Sequence, residues 1–311
     1  MRQVDSYRRP LGFRQAGLSL IELLVSLVLA SIITLAATAL YSVTVSSYKT
    51  VDAAQELQDS GRFALEVLGQ SARMAGYQNY TQRDGSGRDN SRRFAPTTLP
   101  TVRGFNNSTI KSSTLNDGDG ATDNGGLNLS DTLAFRFQGS SKLDNAVEPD
   151  GSIIDCLGIA KSYPANPDDV ALSLFSVAVD TTGEPALRCT SSTSTLPQPI
   201  VKGVETFQVM YGLDADEPAK RIGTPVKWVS GQNVAAADWV KVVAVRVGLV
   251  IRGDVGSSQG ASATATENDL YPLGKAFTGT STEAGLKFTP PNDGRLRRAF
   301  NGTFKLRNPQ D

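Results

Sequence analysis

Glu22 sits near the entrance of a long apolar run, "GLSLIELLVSLVLASIITLAATALY", residues 17–41. A carboxylate in hydrocarbon is costly and persists where a partner charge or a function holds it. Other residue types that do chemistry are scarce. The 311 residues include no histidine, which removes Ser-His-Asp triads, Cys-His dyads, HExxH zinc sites and His-based acid–base catalysis. Two cysteines, Cys156 and Cys189, cannot build a cysteine zinc site alone. Ser-Lys or paired-carboxylate chemistry stays formally open, but no spacing singles it out. The stretch Asn116 to Asn124, "NDGDGATDN", spaces oxygen side chains like part of a calcium loop. No well-placed glutamate follows at the twelfth position, so it reads as a solvated turn-rich loop. No catalytic residue, cofactor or metal site is expected.

What positions Glu22 is therefore the main question. Arg2, Arg8, Arg9 and Arg14 precede the apolar run against Asp5 alone, and the next basic residue is Lys49. Basic residues flanking a span hold that side in the cytoplasm, so the N-terminus reads as cytoplasmic and the chain after residue 48 as exported. A cleaved secretory signal fits poorly, because the run from Leu18 to Val45 far exceeds the 7–15 residues of a signal core and no convincing A-x-A site closes it. A plain single-pass anchor suits the length but leaves Gly17 and Glu22 unexplained.

Gly17-Leu18-Ser19-Leu20-Ile21-Glu22-Leu23-Leu24, behind its basic leader, resembles the class III signal of type IV pilins and pseudopilins. The resemblance implies that a prepilin peptidase cuts between Gly17 and Leu18 on the cytoplasmic side and methylates the new Leu18 amine. Glu22 would be the family's acidic docking residue. The family most often has Phe after the cut, where this chain has Leu18. Physically, a terminal amine and Glu22, each costly alone in a membrane, satisfy one another when paired within a chain or between neighbours.

No proline occurs between Pro10 and Pro96. Ala54, Leu57, Gly61, Ala64, Leu65, Leu68, Ala72 and Ala75 recur at spacings of three and four, an amphipathic stripe. One helix from Leu18 to Ala75 is expected, with Gly76 as C-cap. A break near residues 46–50 is the alternative. Residues 78–130 and 254–285 read as long loops. Strand patterns appear at Asp131 to Phe137, at Val170 to Val179 with Ala186 to Cys189 as a hairpin, and at Phe207, Val209 and Tyr211. Val243, Val245, Val247, Leu249 and Ile251 form an unbroken apolar face, the best candidate for a central strand. Phe300, Phe304 and Leu306 share a face in the last strand. The fold class is α+β: a long N-terminal helix packed on an antiparallel sheet. The expected divisions are a leader at 1–17, a membrane or filament-core half at 18–48, an amphipathic half at 49–76 and an exported β-rich domain at 77–311. In an exported domain Cys156 and Cys189 are expected to pair, closing a loop of roughly 34 residues and stabilising by about 3–4 kcal/mol. Two separate buried thiols are the alternative.

"SGRFALEVLGQSARMAGY" (60–77), "VKGVETFQVMYGLD" (201–214), "VVAVRVGLVIR" (242–252) and "GRLRRAFNGTFKLRNP" (294–309) resemble the minor pilin PilW family. The paired cysteines fit too, although members often carry a further cysteine where Gln78-Asn79-Tyr80 stands here. The resemblance implies a low-abundance, non-enzymatic pilin that helps prime type IV pilus assembly. It would sit near the tip with other minor pilins and the major pilin, sometimes with an adhesin. It would lie in the inner membrane beforehand and at the cell surface afterwards. A net charge of zero argues against nucleic-acid binding. The rival readings are a type II secretion pseudopilin and, in another class, a membrane-anchored exported enzyme or ligand-binding protein.

Overall fold

The protein is described from a computed structural model, which describes residues 17, 19–78, 83–84, 87–88, 100–110, 125–165, 169–192, 194, 196–258, 269–278 and 285–308. Two compact units divide it, Met1–Lys49 and Thr50–Asp311. A single uninterrupted helix, α1 (Leu20–Met74), begins in the first and ends in the second, with no break at 46–50. The strands are β1 (Arg83–Asp84), β2 (Gly87–Arg88), β3 (Val102–Phe105), β4 (Thr132–Phe137), β5 (Ser141–Lys142), β6 (Asn145–Pro149), β7 (Ala171–Val179), β8 (Pro185–Ser191), β9 (Gln198–Lys202), β10 (Val204–Leu213), β11 (Lys227–Ser230), β12 (Val242–Arg252) and β13 (Arg297–Lys305).

The second unit holds two antiparallel sheets where the sequence suggests one. One runs β11-β10-β12-β13, the other β3-β4-β7-β8-β9, and β1-β2 and β5-β6 are separate short hairpins. The extra layer explains why β10 and β4 are buried along their whole length. A strand with only one covered face would alternate. Leu57, Ala64, Leu68 and Ala72 of α1 share one core with Phe207, Val209, Tyr211, Val245, Val247 and Leu249 of the first sheet and Leu133, Phe135, Phe175 and Leu187 of the second. Tyr211 and Trp239 meet edge to face at 4.9 Å within it. Burial pushes the Tyr211 hydroxyl well above its usual range. β12 is central, between β10 and β13. β3 lies inside the expected 78–130 loop, its pattern masked by brevity and by Arg103 and Gly104. The expected loop after residue 254 also does work. Leu273 and Leu286 cover Met210 on the back of the first sheet, and Arg246 clamps the segment by donating to the Leu273 carbonyl at 3.1 and 3.0 Å.

The two sheets are joined at two places. β11 pairs only with Met210 to Leu213 of β10, so the rest of that edge needs other partners. Residues 128–131 supply them. Asp131 N–H donates to the Phe207 carbonyl at 2.7 Å. Ser130 Oγ accepts from Phe207 N–H at 3.1 Å and Asp131 Oδ2 from Val209 N–H at 2.8 Å. Gly203 is the single residue between β9 and β10, where the chain passes from one sheet to the other. Its φ is +77° and a Cβ there would lie 2.5 Å from the Arg252 carbonyl oxygen, so only glycine fits without strain. Beside this crossing, buried Glu205 forms a two-armed ion pair with Arg297 (2.6 and 3.0 Å) and meets Arg252 at 3.3 Å, tying β10, β12 and β13 together. Arg297 also bonds Asp293 and holds its carboxyl down at about 2.

α1 meets β13 through a stepped contact. A Cβ at Gly61 would lie 2.5 Å from the Phe300 ring, one at Gly69 would lie 2.7 Å from the Phe304 ring, and Leu65 seats against Gly302. Four residues of helix rise about 6 Å and two residues of strand about 6.7 Å. Small-large-small on the helix therefore stays in step with large-small-large on the strand. Beyond the last turn Gly76 takes φ +72°, as a C-cap should, and donates its N–H to the Arg136 carbonyl at 2.8 Å.

Gly61→Ala separates two opposing effects. Alanine favours the helix by about 1 kcal/mol, but the ring contact makes it an overpacking change costing about 1–3 kcal/mol. A net Tm drop of a few degrees is expected for the full chain in detergent, with partial recovery when Phe300→Leu is added. A higher Tm for Gly61→Ala alone would contradict the stepped contact.

Candidate functional site: the head of the apolar helix

In the first unit the large apolar side chains of α1, from Leu20 to Leu40, are all more than half exposed. By length and composition α1 is able to cross a membrane. Six hydroxyl groups within it are already satisfied. The hydroxyls of Ser26, Ser31, Thr34, Thr38, Ser42 and Thr44 donate back to carbonyls of the preceding turn at 2.5 to 2.9 Å, so none asks for water inside a bilayer.

Gly17 is exposed and outside the helix, with open space around its Cα. Leu18, expected to become the methylated terminus, lies outside the described residues, as does the Asn116 to Asn124 loop. Ser19 immediately precedes the helix. Its Oγ accepts from Glu22 N–H at 3.3 Å, and its carbonyl accepts from Glu22 and Leu23 N–H at 3.1 and 3.2 Å. Ser19 is thus the N-cap and Glu22 stands in the first turn, where the helix dipole favours a negative charge. The Ser-x-x-Glu spacing of a capping box was present in the sequence, so Ser19 could have been found from that signal. Glu22 is exposed, and its carboxylate has no ion-pair partner among the described residues. The arrangement holds one carboxylate at a fixed distance from the helix start, open to an incoming cation.

In the second unit Cys156 and Cys189 are joined by a disulfide with Cα atoms 6.2 Å apart. Cys189 is buried on β8, so the bond tethers the irregular segment around Cys156 to the five-stranded sheet. Asp155 organises that segment by accepting from Leu157 and Ile159 N–H at 2.8 and 2.9 Å, and Cys156 N–H donates to Ser173 Oγ at 3.0 Å. Among the described residues no three His, Cys, Asp or Glu side chains are grouped to hold a metal.

Comparison with known proteins gives three findings. Residues 174–308 match the family model of PilW, type IV pilus-assembly protein W. Residues 12–38 match the prokaryotic N-terminal methylation motif. A type IV-like pilin from Thermus thermophilus is similar in structure at 14% identity, covering 82% of this chain and 97% of that one, with a TM-score of 0.39. No curated protein matches the chain.

Ser19→Ala removes the cap at an expected cost of about 1 kcal/mol, roughly a fivefold change in local opening. In detergent micelles, amide exchange at Glu22 and Leu23 should quicken by about that factor, and Ser19→Asp should restore the slow rate. Unchanged exchange in Ser19→Ala would show that the hydroxyl does not fix the helix start.

Proposed function

Residues 174–308 match the PilW family model and residues 12–38 the N-terminal methylation motif; from that premise we propose that the chain is a minor pilin of the PilW family that helps start pilus assembly at or near the tip, in company with other minor pilins. The observation that carries this reading is the uncovered apolar half of α1 headed by the Gly17–Glu22 motif. In this account a prepilin peptidase removes the basic leader after Gly17 and methylates the Leu18 amine. The segment stays in the inner membrane with its N-terminus in the cytoplasm and the two-sheet domain in the periplasm. There the Cys156–Cys189 bond forms in an oxidising compartment. On extraction from the bilayer, the exposed leucines and valines exchange lipid for neighbouring pilin helices, so little apolar surface meets water. Glu22 and a terminal amine neutralise one another at the docking step. The second unit, with its two sheets and the long segments between them, suits a position where no identical copy stacks above it.

A deletion strain distinguishes the two filament machines that share this chemistry. Surface pili should fall by an order of magnitude or more while type II secretion is unchanged. Complementation with Glu22→Ala should leave leader cleavage intact yet fail to restore piliation. Lost secretion with normal pili would assign the protein to a secretion pseudopilin, and full rescue by Glu22→Ala would remove the docking role.

A further inference from the structure

Where α1 ends, two adjoining cavities of about 390 and 410 Å³ share Arg73 and Arg307 in their walls. Lys305 lines the second, and the apolar parts of the lining include Met74, Tyr77 and Phe304. No carboxylate lines either cavity among the described residues. Arg73 is engaged by Glu66 at 2.9 Å, with both side chains largely in solvent, a pairing of small energy. Lys305 and Arg307 are exposed, and their side chains have no hydrogen-bond or ion-pair partner among the described residues. Arg307 does not serve as a helix cap either, because Asn308 Nδ2 donates to the Ala75 carbonyl at 3.2 Å.

The groove follows an unfinished strand edge. β13 closes the four-stranded sheet, and among the described residues β12 is its only strand neighbour. Past the strand the alternation continues, with Leu306 buried between exposed Lys305 and Arg307. That places two cations two residues apart, Lys305 at the end of the strand and Arg307 in the bend that follows it. Cations on an edge deter strands of neutral or like charge, and by the same repulsion they select a strand carrying acids at every second position.

We propose that this groove binds an extended acidic segment of a partner protein, added along the outer edge of β13. Alternate carboxylates meet Lys305 and Arg307, and the intervening apolar side chains rest on the Met74, Tyr77 and Phe304 lining. Main-chain bonds to the open edge supply affinity, and the cations set register. A peptide suits the site better than a nucleic acid. The lining is partly apolar, and a chain of net charge zero offers a polyanion no long-range attraction. This inference concerns the second unit alone and is independent of N-terminal processing, so its failure leaves the pilus reading untouched.

The test uses the full chain in detergent micelles and a fluorescein-labelled decapeptide of alternating Asp and Val. Saturable binding is expected, weakened by roughly tenfold or more in the Lys305→Glu, Arg307→Glu double variant, with slower amide exchange over residues 303–306 in the complex. A decapeptide of alternating Lys and Val should show the reverse preference, binding the double variant and not the parent, which guards against a variant that merely misfolds. The proposal is overturned by absent saturable binding, by an affinity that the double variant leaves unchanged, or by a labelled single-stranded 20-mer DNA binding more tightly at the same residues.

Discussion

Apolar helix surface has to be covered, and α1 meets that demand in two different ways. In the second unit the cover is intramolecular. Leu57, Ala64, Leu68 and Ala72 are buried in the domain core, and Phe300 and Phe304 reach the helix because Gly61 and Gly69 leave room for their rings. In the first unit the large apolar side chains from Leu20 to Leu40 are all more than half exposed among the described residues. Lipid or other helices must supply their cover. The hydroxyls bonded back onto the helix make that segment compatible with either environment, which leaves Glu22 as the group whose charge distinguishes one setting from the other.

The domain that covers the second half of the helix is held as a unit by interactions across its seams. Residues 128–131 complete the edge of β10 where β11 stops short. Gly203 lets the chain change sheets in one residue. The Glu205–Arg297 pair then locks the start of the last strand to the strand after that crossing. Breaking a buried pair by removing one partner costs several kcal/mol, so the position of β13, and with it the contact to α1, depends on a glutamate in the middle of the sequence.

Local patterns carried much of this architecture. The three-and-four stripe of α1 marked Leu57, Gly61, Ala64, Leu68 and Ala72, all of which are buried, and the apolar alternation of β12 marked a central strand. Pairing between distant segments left weaker traces. Gly69 looks like a helix defect until Phe304 is placed beside it, and β3 is too short for a period of two to register. A second sheet could not be inferred from β10, because one alternating face hides the burial of the other. At the head of the helix Glu22 stands out by its charge, while Ser19, which fixes where the helix begins, is marked only by its capping-box spacing.

Retention of the apolar half of α1 after loss of the leader is the central prediction, with a new charge at Leu18, four residues before Glu22. Intact-mass and N-terminal peptide mass spectrometry of the protein isolated from its native membrane addresses this directly. The predicted result is a chain beginning at N-methylated Leu18 and still containing residues 20–49. A chain beginning at Met1, or one cut beyond Val45 so that the apolar segment is gone, would contradict it.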